Sequence, residues 1–176
     1  MSASTASAAP APPASASTAT RRTLTFGSLA EILADVEHLD GAGPLVGLGE
    51  WTPAQILDHV RRGMVVAREG AGFTMPLPMR VIGRVFKSYF LRNTFKAGIK
   101  MPSVARDTFA PAEHITWNEA ASAFREEVAA ASQPNAMTTP SPLLGPLSHH
   151  DWERLHCRHA ELHFAFIVPE RVERAE

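Results

Sequence analysis

Ser148-His149-His150-Asp151-Trp152-Glu153-Arg154-Leu155-His156-Cys157-Arg158-His159-Ala160-Glu161-Leu162-His163-Phe164 is the stretch on which the fold assignment turns. The Ser148 hydroxyl, with the Asp151 carboxylate three residues on, marks a helix start, Asp standing where a capping box has Glu or Gln. Behind it Trp152, Leu155, His159, Leu162, His163, Phe166 and Ile167 recur at helical spacing until Pro169 stops the run. The same start signal occurs as a full capping box at Ser28–Glu31, Thr52–Gln55 and Thr116–Glu119. Pro53 takes the first helical position of the second, where a missing N–H costs nothing. Apolar periodicity follows each start. Leu29, Ile32, Leu33, Val36 and Leu39 run to Gly41, and Ile56, His59, Val60, Met64 and Ala67 run to Gly70. Trp117, Ala120, Ala121, Phe124 and Val128 fade before Pro134. No run of β-branched residues alternates with polar ones, so strands are not expected. The chain reads as all-α: a four-helix bundle with long crossover connections and a short extra helical segment at 77–96.

The whole chain has 176 residues, with 17 basic and 18 acidic side chains and a net charge of −1. That balance argues against a nucleic-acid binder, which carries a clear positive excess. Hydrophobic residues at 45% allow a real core, and one cysteine excludes a disulfide framework and a cysteine-only metal site. Residues 1–20 are only Met, Ser, Ala, Thr and Pro, so 1–21 reads as a disordered tail that cannot bury enough apolar surface to offset its ordering entropy. It lacks the basic lead and apolar run of a secretory leader, and Arg21-Arg22 is followed by Glu31, Asp35, Glu37 and Asp40 rather than an export-type run. The expected organisation is one domain over 22–168 and a charged tail over 169–176, in a cytoplasmic protein without a transmembrane segment. Charge is uneven along the chain. Between Glu69 and Asp107 there is no acid, while Arg80, Arg84, Lys87, Arg92, Lys96, Lys100 and Arg106 are all positive. Val81, Ile82, Val85, Phe86, Tyr89, Phe90 and Leu91 share that segment. The expectation is a helix with its aromatic face on the core and its arginines solvated; the alternative is a surface for an anion or a membrane.

Five of the eight histidines fall between 149 and 163. His159 and His163 are four apart, and about 100° per residue brings the second imidazole to the same face one turn on, as two ligands of one transition metal require. Leu155, Leu162 and Phe166 flank them, so that face points at least partly inward. His59 lies on the apolar stripe of the second helix, where a lone histidine is ordinarily a hydrogen-bonded core residue. Three inward imidazoles from two helices are costly to bury unless something accepts their lone pairs, which a divalent metal does. Gln55, one turn before His59, is a candidate to orient it, and His156 a substitute or supporting group. His149 and His150 belong to the helix start and are expected in solvent. Cys157 lies about 200° around the helix from His159 and should point away from the metal.

Gly49-Glu50-Trp51-Thr52-Pro53-Ala54-Gln55-Ile56-Leu57-Asp58-His59, Ser141-Pro142-Leu143-Leu144-Gly145-Pro146-Leu147-Ser148, Trp152, and Arg158-His159-Ala160-Glu161-Leu162-His163-Phe164 together resemble the DinB/YfiT-like superfamily of metal-binding four-helix bundles. Arg22-Thr23-Leu24-Thr25-Phe26 has the look of a bacterial branch known only as a domain of unknown function. The resemblance implies a metal site on His59, His159 and His163, with zinc or nickel as the ion. It also implies a low-molecular-weight thiol as co-reactant in a transfer or hydrolysis of a small-molecule substrate, and a possible homodimer. Leu162 stands where relatives carry a further histidine. No residue stands out as a general base. Two other readings remain open at this point: a non-catalytic, metal-stabilised ligand-binding bundle, and an anionic-surface binder acting through its basic helix.

Overall fold

A computed structural model of the chain describes residues 20–94, 98 and 102–170. Most of the expected N-terminal tail, Lys96 and Lys100 of the basic segment, and residues 171–176 lie outside the described residues. The order of elements is α1 (Leu29–Asp40), β1 (Leu45–Gly47), α2 (Pro53–Glu69), α3 (Leu77–Val85), α4 (Lys87–Arg92), α5 (Ser103–Phe109), α6 (Trp117–Ala131), α7 (His149–Phe164) and β2 (Ile167–Pro169). The fold is mostly helical, with one small two-stranded sheet.

The four helices announced by their start signals are α1, α2, α6 and α7, and they surround one core. α2 runs along both α6 and α7, and α1 packs on α6 and α7. Leu29, Ile32, Leu57, Met64, Phe124 and Phe164 are among the side chains they bury. The caps differ in one detail from the sequence pattern. Thr52, Thr116 and Ser148 form reciprocal boxes, so Asp151 serves as well as Glu. At Ser28 the hydroxyl caps Glu31 N–H, but the Glu31 carboxylate instead accepts from Gly27 N–H, one residue earlier.

Three features depart from the sequence reading. The last helix ends at Phe164 rather than continuing through Ile167. There the chain turns extended, and β2 pairs antiparallel with β1, Val46 opposite Val168. Three residues are too few to show an alternation, and Ile167 is buried in strand as it would be in helix. Gly47 is required at the crossing, because a Cβ there would stand 2.3 Å from the Trp51 carbonyl oxygen. Secondly, the region expected as a charged tail from 169 begins inside this pairing: Pro169 lies opposite Leu45 and Glu170 N–H donates to Pro44. At the other end Arg21 lies over the Phe166 ring at 3.9 Å.

Thirdly, the extra segment is helical over α3 and α4, but of its apolar stripe only Leu91, buried, and Phe90, half-buried, face inward as expected. Leu77, Val81, Ile82, Val85, Phe86 and Tyr89 are all exposed, Val85 to 72%. α3 seats through its glycine instead: Gly83 is buried, and a Cβ there would come within 2.5 Å of the Leu143 carbonyl. Periodicity reports that a helix has an apolar side, and here the close approach at Gly83 decides which side is covered.

Glu161, buried on α7, holds the N-terminal segment and the end of α4 together. Its Oε1 accepts from Phe26 N–H (2.8 Å) and from the Arg158 guanidinium (2.6 Å), and its Oε2 accepts from the Thr94 hydroxyl. Arg158 also donates to the Phe26 carbonyl. Glu161→Ala leaves the half-buried Arg158 guanidinium and the Phe26 N–H without their carboxylate, so it should lower stability by about 2–3 kcal/mol. The test is urea unfolding, in which the midpoint falls while the slope stays unchanged; an unmoved midpoint would contradict this account of the pin.

Candidate metal centre

His59 from the middle of α2 and His159 and His163 from one face of α7 meet where these helices cross. One ligating atom from each can be chosen so that all lie within 4.8 Å of one another, and the three can together hold a metal ion. The ring centroids are 5.0 Å (His59–His159), 4.5 Å (His59–His163) and 4.7 Å (His159–His163) apart. The Nε2 atoms of His59 and His159 are 3.2 Å apart. Two ligands of a tetrahedral ion with metal–nitrogen bonds of about 2.0–2.1 Å stand about 3.3–3.4 Å apart, so this pair is already at near-ligating separation.

At the crossing α2 presents Gly63, where there is room for a Cβ but for little more. A Cβ on Gly63 would lie 3.4 Å from His159 Nδ1 and 3.7 Å from His156 Cε1, so a longer side chain would push both imidazoles away. Nδ1 of His59 is 2.8 Å from the Phe109 carbonyl oxygen at the end of α5. A carbonyl only accepts, so Nδ1 carries the proton and Nε2 presents its lone pair to the triad. The Phe109 segment is held in turn by Asp58. Its Oδ2 accepts from Ala112 N–H (2.9 Å) and Arg62, and its Oδ1 accepts from Arg61. Trp51 closes one side, 4.7 Å from the His59 ring and stacked on His163 at 6.0 Å.

Burial is the largest influence on all these imidazoles and favours their neutral form. It lowers His59 against the opposing hydrogen bond that Nδ1 donates to the Phe109 carbonyl, and lowers His159 well below its ordinary value, with His163 and His59 adding to the effect. His163 is pushed down to about 3 by burial and then by His59. His156 is pushed to about 3 by burial alone; it stacks on Trp152, and its Nε2 has no hydrogen-bond partner among the described residues. Neutral imidazole is the form that ligates a metal.

The triad therefore comes together as its spacing suggests, while several neighbouring assignments change. Gln55 does not orient His59: its Oε1 caps Thr52 N–H and its Nε2 donates to the Glu113 carbonyl. His149 is not simply solvated, since its Nδ1 accepts from Met137 N–H, whereas His150 is exposed. Cys157 is buried away from the triad, and burial pushes its thiol up to about 12, which makes it no nucleophile. Phe109, Trp51, Asp58 and Gly63 were not legible as site residues. The available signals were an isolated glycine inside a helical pattern and the place of Trp51 and Asp58 in the stretch that carries the resemblance; a backbone carbonyl supplied by a helix without a side-chain cap leaves none.

The chain belongs to the family described as protein of unknown function (DUF1569), which it matches over residues 18–170. No curated protein and no solved structure matches it. Among the described residues no helix is long and apolar enough to cross a membrane.

The depressed imidazoles give a pH dependence with a definite sign. Between the lowered folded values and the ordinary value near 6.5, the unfolded chain binds more protons than the folded one. Stability contributed by the neutral cluster is thus complete above about pH 6.5 and is lost as the pH falls below it, towards about 3. Urea titrations of chelator-treated protein at pH 8, 7, 6 and 5, above the range where most carboxylates titrate, should show a decline corresponding to more than one proton taken up on unfolding. A flat profile would contradict the buried neutral cluster.

Proposed function

We propose that the chain is a divalent-metal-dependent enzyme built as a DinB-like four-helix bundle, with His59, His159 and His163 holding zinc or nickel. The reaction class that fits best is a thiol-dependent transfer, or a hydrolysis, on a small-molecule substrate. One observation carries this reading: three histidines converge at the wall of a large cavity, and among the described residues no fourth His, Cys, Asp or Glu completes the set. Structural sites close their coordination with four protein ligands, whereas reactive sites keep a position open. A bound dication supplies Lewis acidity there, drawing the pKa of a thiol or a water towards neutrality.

The protein's own share is positional. The Phe109 carbonyl sets the His59 tautomer, Asp58 holds the segment that carries this carbonyl, and Trp51 keeps water from one side of the imidazoles. The cavity beyond them receives the substrate.

Protein purified without an affinity tag should contain close to one divalent ion per chain by elemental analysis, and His159→Ala should abolish it. Metal-free wild type whose stability is indifferent to chelation would end the proposal. Loaded protein should consume a low-molecular-weight thiol or hydrolyse an ester in a substrate panel; metal without either activity would leave the non-catalytic bundle in its place. Asp58→Asn, which acts through the Phe109 segment, should weaken metal binding about tenfold while leaving the stoichiometry at one.

The exposed apolar side chains of α3, with Phe86 and Tyr89 beyond it, favour a second reading, attachment to an anionic surface. Val81, Val85 and Phe86 are exposed beside Arg84. Lys87 is already engaged, donating to the Pro146 carbonyl and standing 3.5 Å from Asp151. Salt-sensitive binding to vesicles containing phosphatidylserine, weakened by Arg84→Gln with Arg92→Gln, is what this reading requires.

A further inference from the structure

The cavity at the triad has a volume of about 1210 Å³, larger than the roughly 300–1,000 Å³ of an ordinary small-molecule site. Much of its wall is apolar or aromatic: Trp51, Phe73, Phe109, Leu143, Leu155 and Phe166 line it. Its charged lining residues, Glu50, Arg106 and Glu113, are exposed to solvent. Apart from the triad and His156, whose buried Nε2 has no hydrogen-bond partner among the described residues, the polar side chains deeper in are occupied. Ser141 accepts from Leu144 N–H, and Gln55 is held between Thr52 and Glu113. A ligand lying along this wall gains by burying hydrocarbon and finds few partners for polar groups of its own.

Three imidazoles ligate without charge, so an ion they hold keeps both its positive charges. The carboxylate nearest in sequence, Asp58, is committed to Arg61, Arg62 and Ala112 N–H and does not offset them. A double charge facing an apolar cavity is expensive unless a counter-charge comes with the ligand.

We infer that the site takes an amphiphilic anion: a metal-binding carboxylate or thiolate head at the imidazole triad, with an apolar body lying along Leu143, Leu155 and Phe166. This rests on the metal reading above and names the substrate class for it. A short, highly polar ligand would neutralise the ion but leave the wall unfilled. A neutral or cationic apolar ligand would fill the wall but leave the charge.

The test uses the full chain loaded with zinc and follows the fluorescence of the cavity tryptophans, Trp51 and Trp152. The probes are acetate and hexanoate, ethanethiol and 1-hexanethiol, with hexylammonium and 1-hexanol as controls of the same body. At roughly 0.8 kcal/mol per buried methylene, a conservative expectation is that the better six-carbon anion binds at least about tenfold tighter than its two-carbon homologue. It should also exceed hexylammonium by about tenfold or more. Whether hexanoate or hexanethiol leads identifies the head. Leu155→Trp, which occupies part of the cavity, should remove most of the gain with chain length at unchanged zinc content.

The two levels fail separately. A chain that takes up zinc but binds both chain lengths equally, or binds hexylammonium as well as the anions, overturns the amphiphilic anion and leaves the metal reading standing. A chain that takes up no zinc overturns the metal reading, and this inference falls with it.

Discussion

Crowding three imidazoles, one buried and two half-buried, between two helices takes them largely out of bulk water, and Trp51, Ile56 and Leu155 beside them offer their lone pairs no donor. His59 satisfies one nitrogen through the Phe109 carbonyl, and this choice forces the other, as a lone pair, towards His159 Nε2 at 3.2 Å. A proton shared between two nitrogens can relieve one such pair. A cation relieves three lone pairs at once, at little geometric cost when they already converge. Much else near the site follows from that requirement.

The close approach at Gly63 is its first consequence, since the α2–α7 crossing must be tight for imidazoles on both helices to meet. The second is the placement of Asp58. Its neighbour in sequence points into the site while Asp58 turns aside to fasten Ala112, so one turn of α2 both supplies a ligand and anchors the segment that orients it. A separate polar contact on the same helix is Glu161, which draws the Phe26 backbone and Thr94 onto α7. These polar groups are buried but hydrogen-bonded, the condition under which burial is tolerable.

What could be read from the sequence was local. Capping boxes and 3.6-residue periodicity sit within a few residues of one another, so α1, α2, α6 and α7 were legible nearly to their ends, and so was the shared face of His159 and His163. That His59 joins them depended on a helix crossing, and only the burial argument and the resemblance reached across it. The Phe109 carbonyl lay beyond reach, because backbone atoms carry no residue identity and α5 begins without a side-chain cap. The orientation of α3 differs from the expected one for a related reason, while Phe90 and Leu91 of α4 do turn inward. The amphipathic pattern of α3 is real, but the same stripe can face a core or the surroundings, and Gly83, which has no side chain to count, selected the covered side.

The long connection between α2 and α6 looks dispensable in a helical bundle, which can join neighbouring helices by a few residues. Here it cannot be dispensed with. Shorten it past α5 and His59 Nδ1 loses its acceptor, the tautomer is no longer set, and the Phe73 and Phe109 side of the cavity disappears. The contacts of α2 with α6 and α7 would remain, but the imidazoles would face open water, where a dication is well hydrated and gains less from three neutral ligands. The crossing of α2 and α7 thus gathers the ligating side chains, while the connection supplies the low-polarity enclosure that lets them hold a charge and select what comes to it.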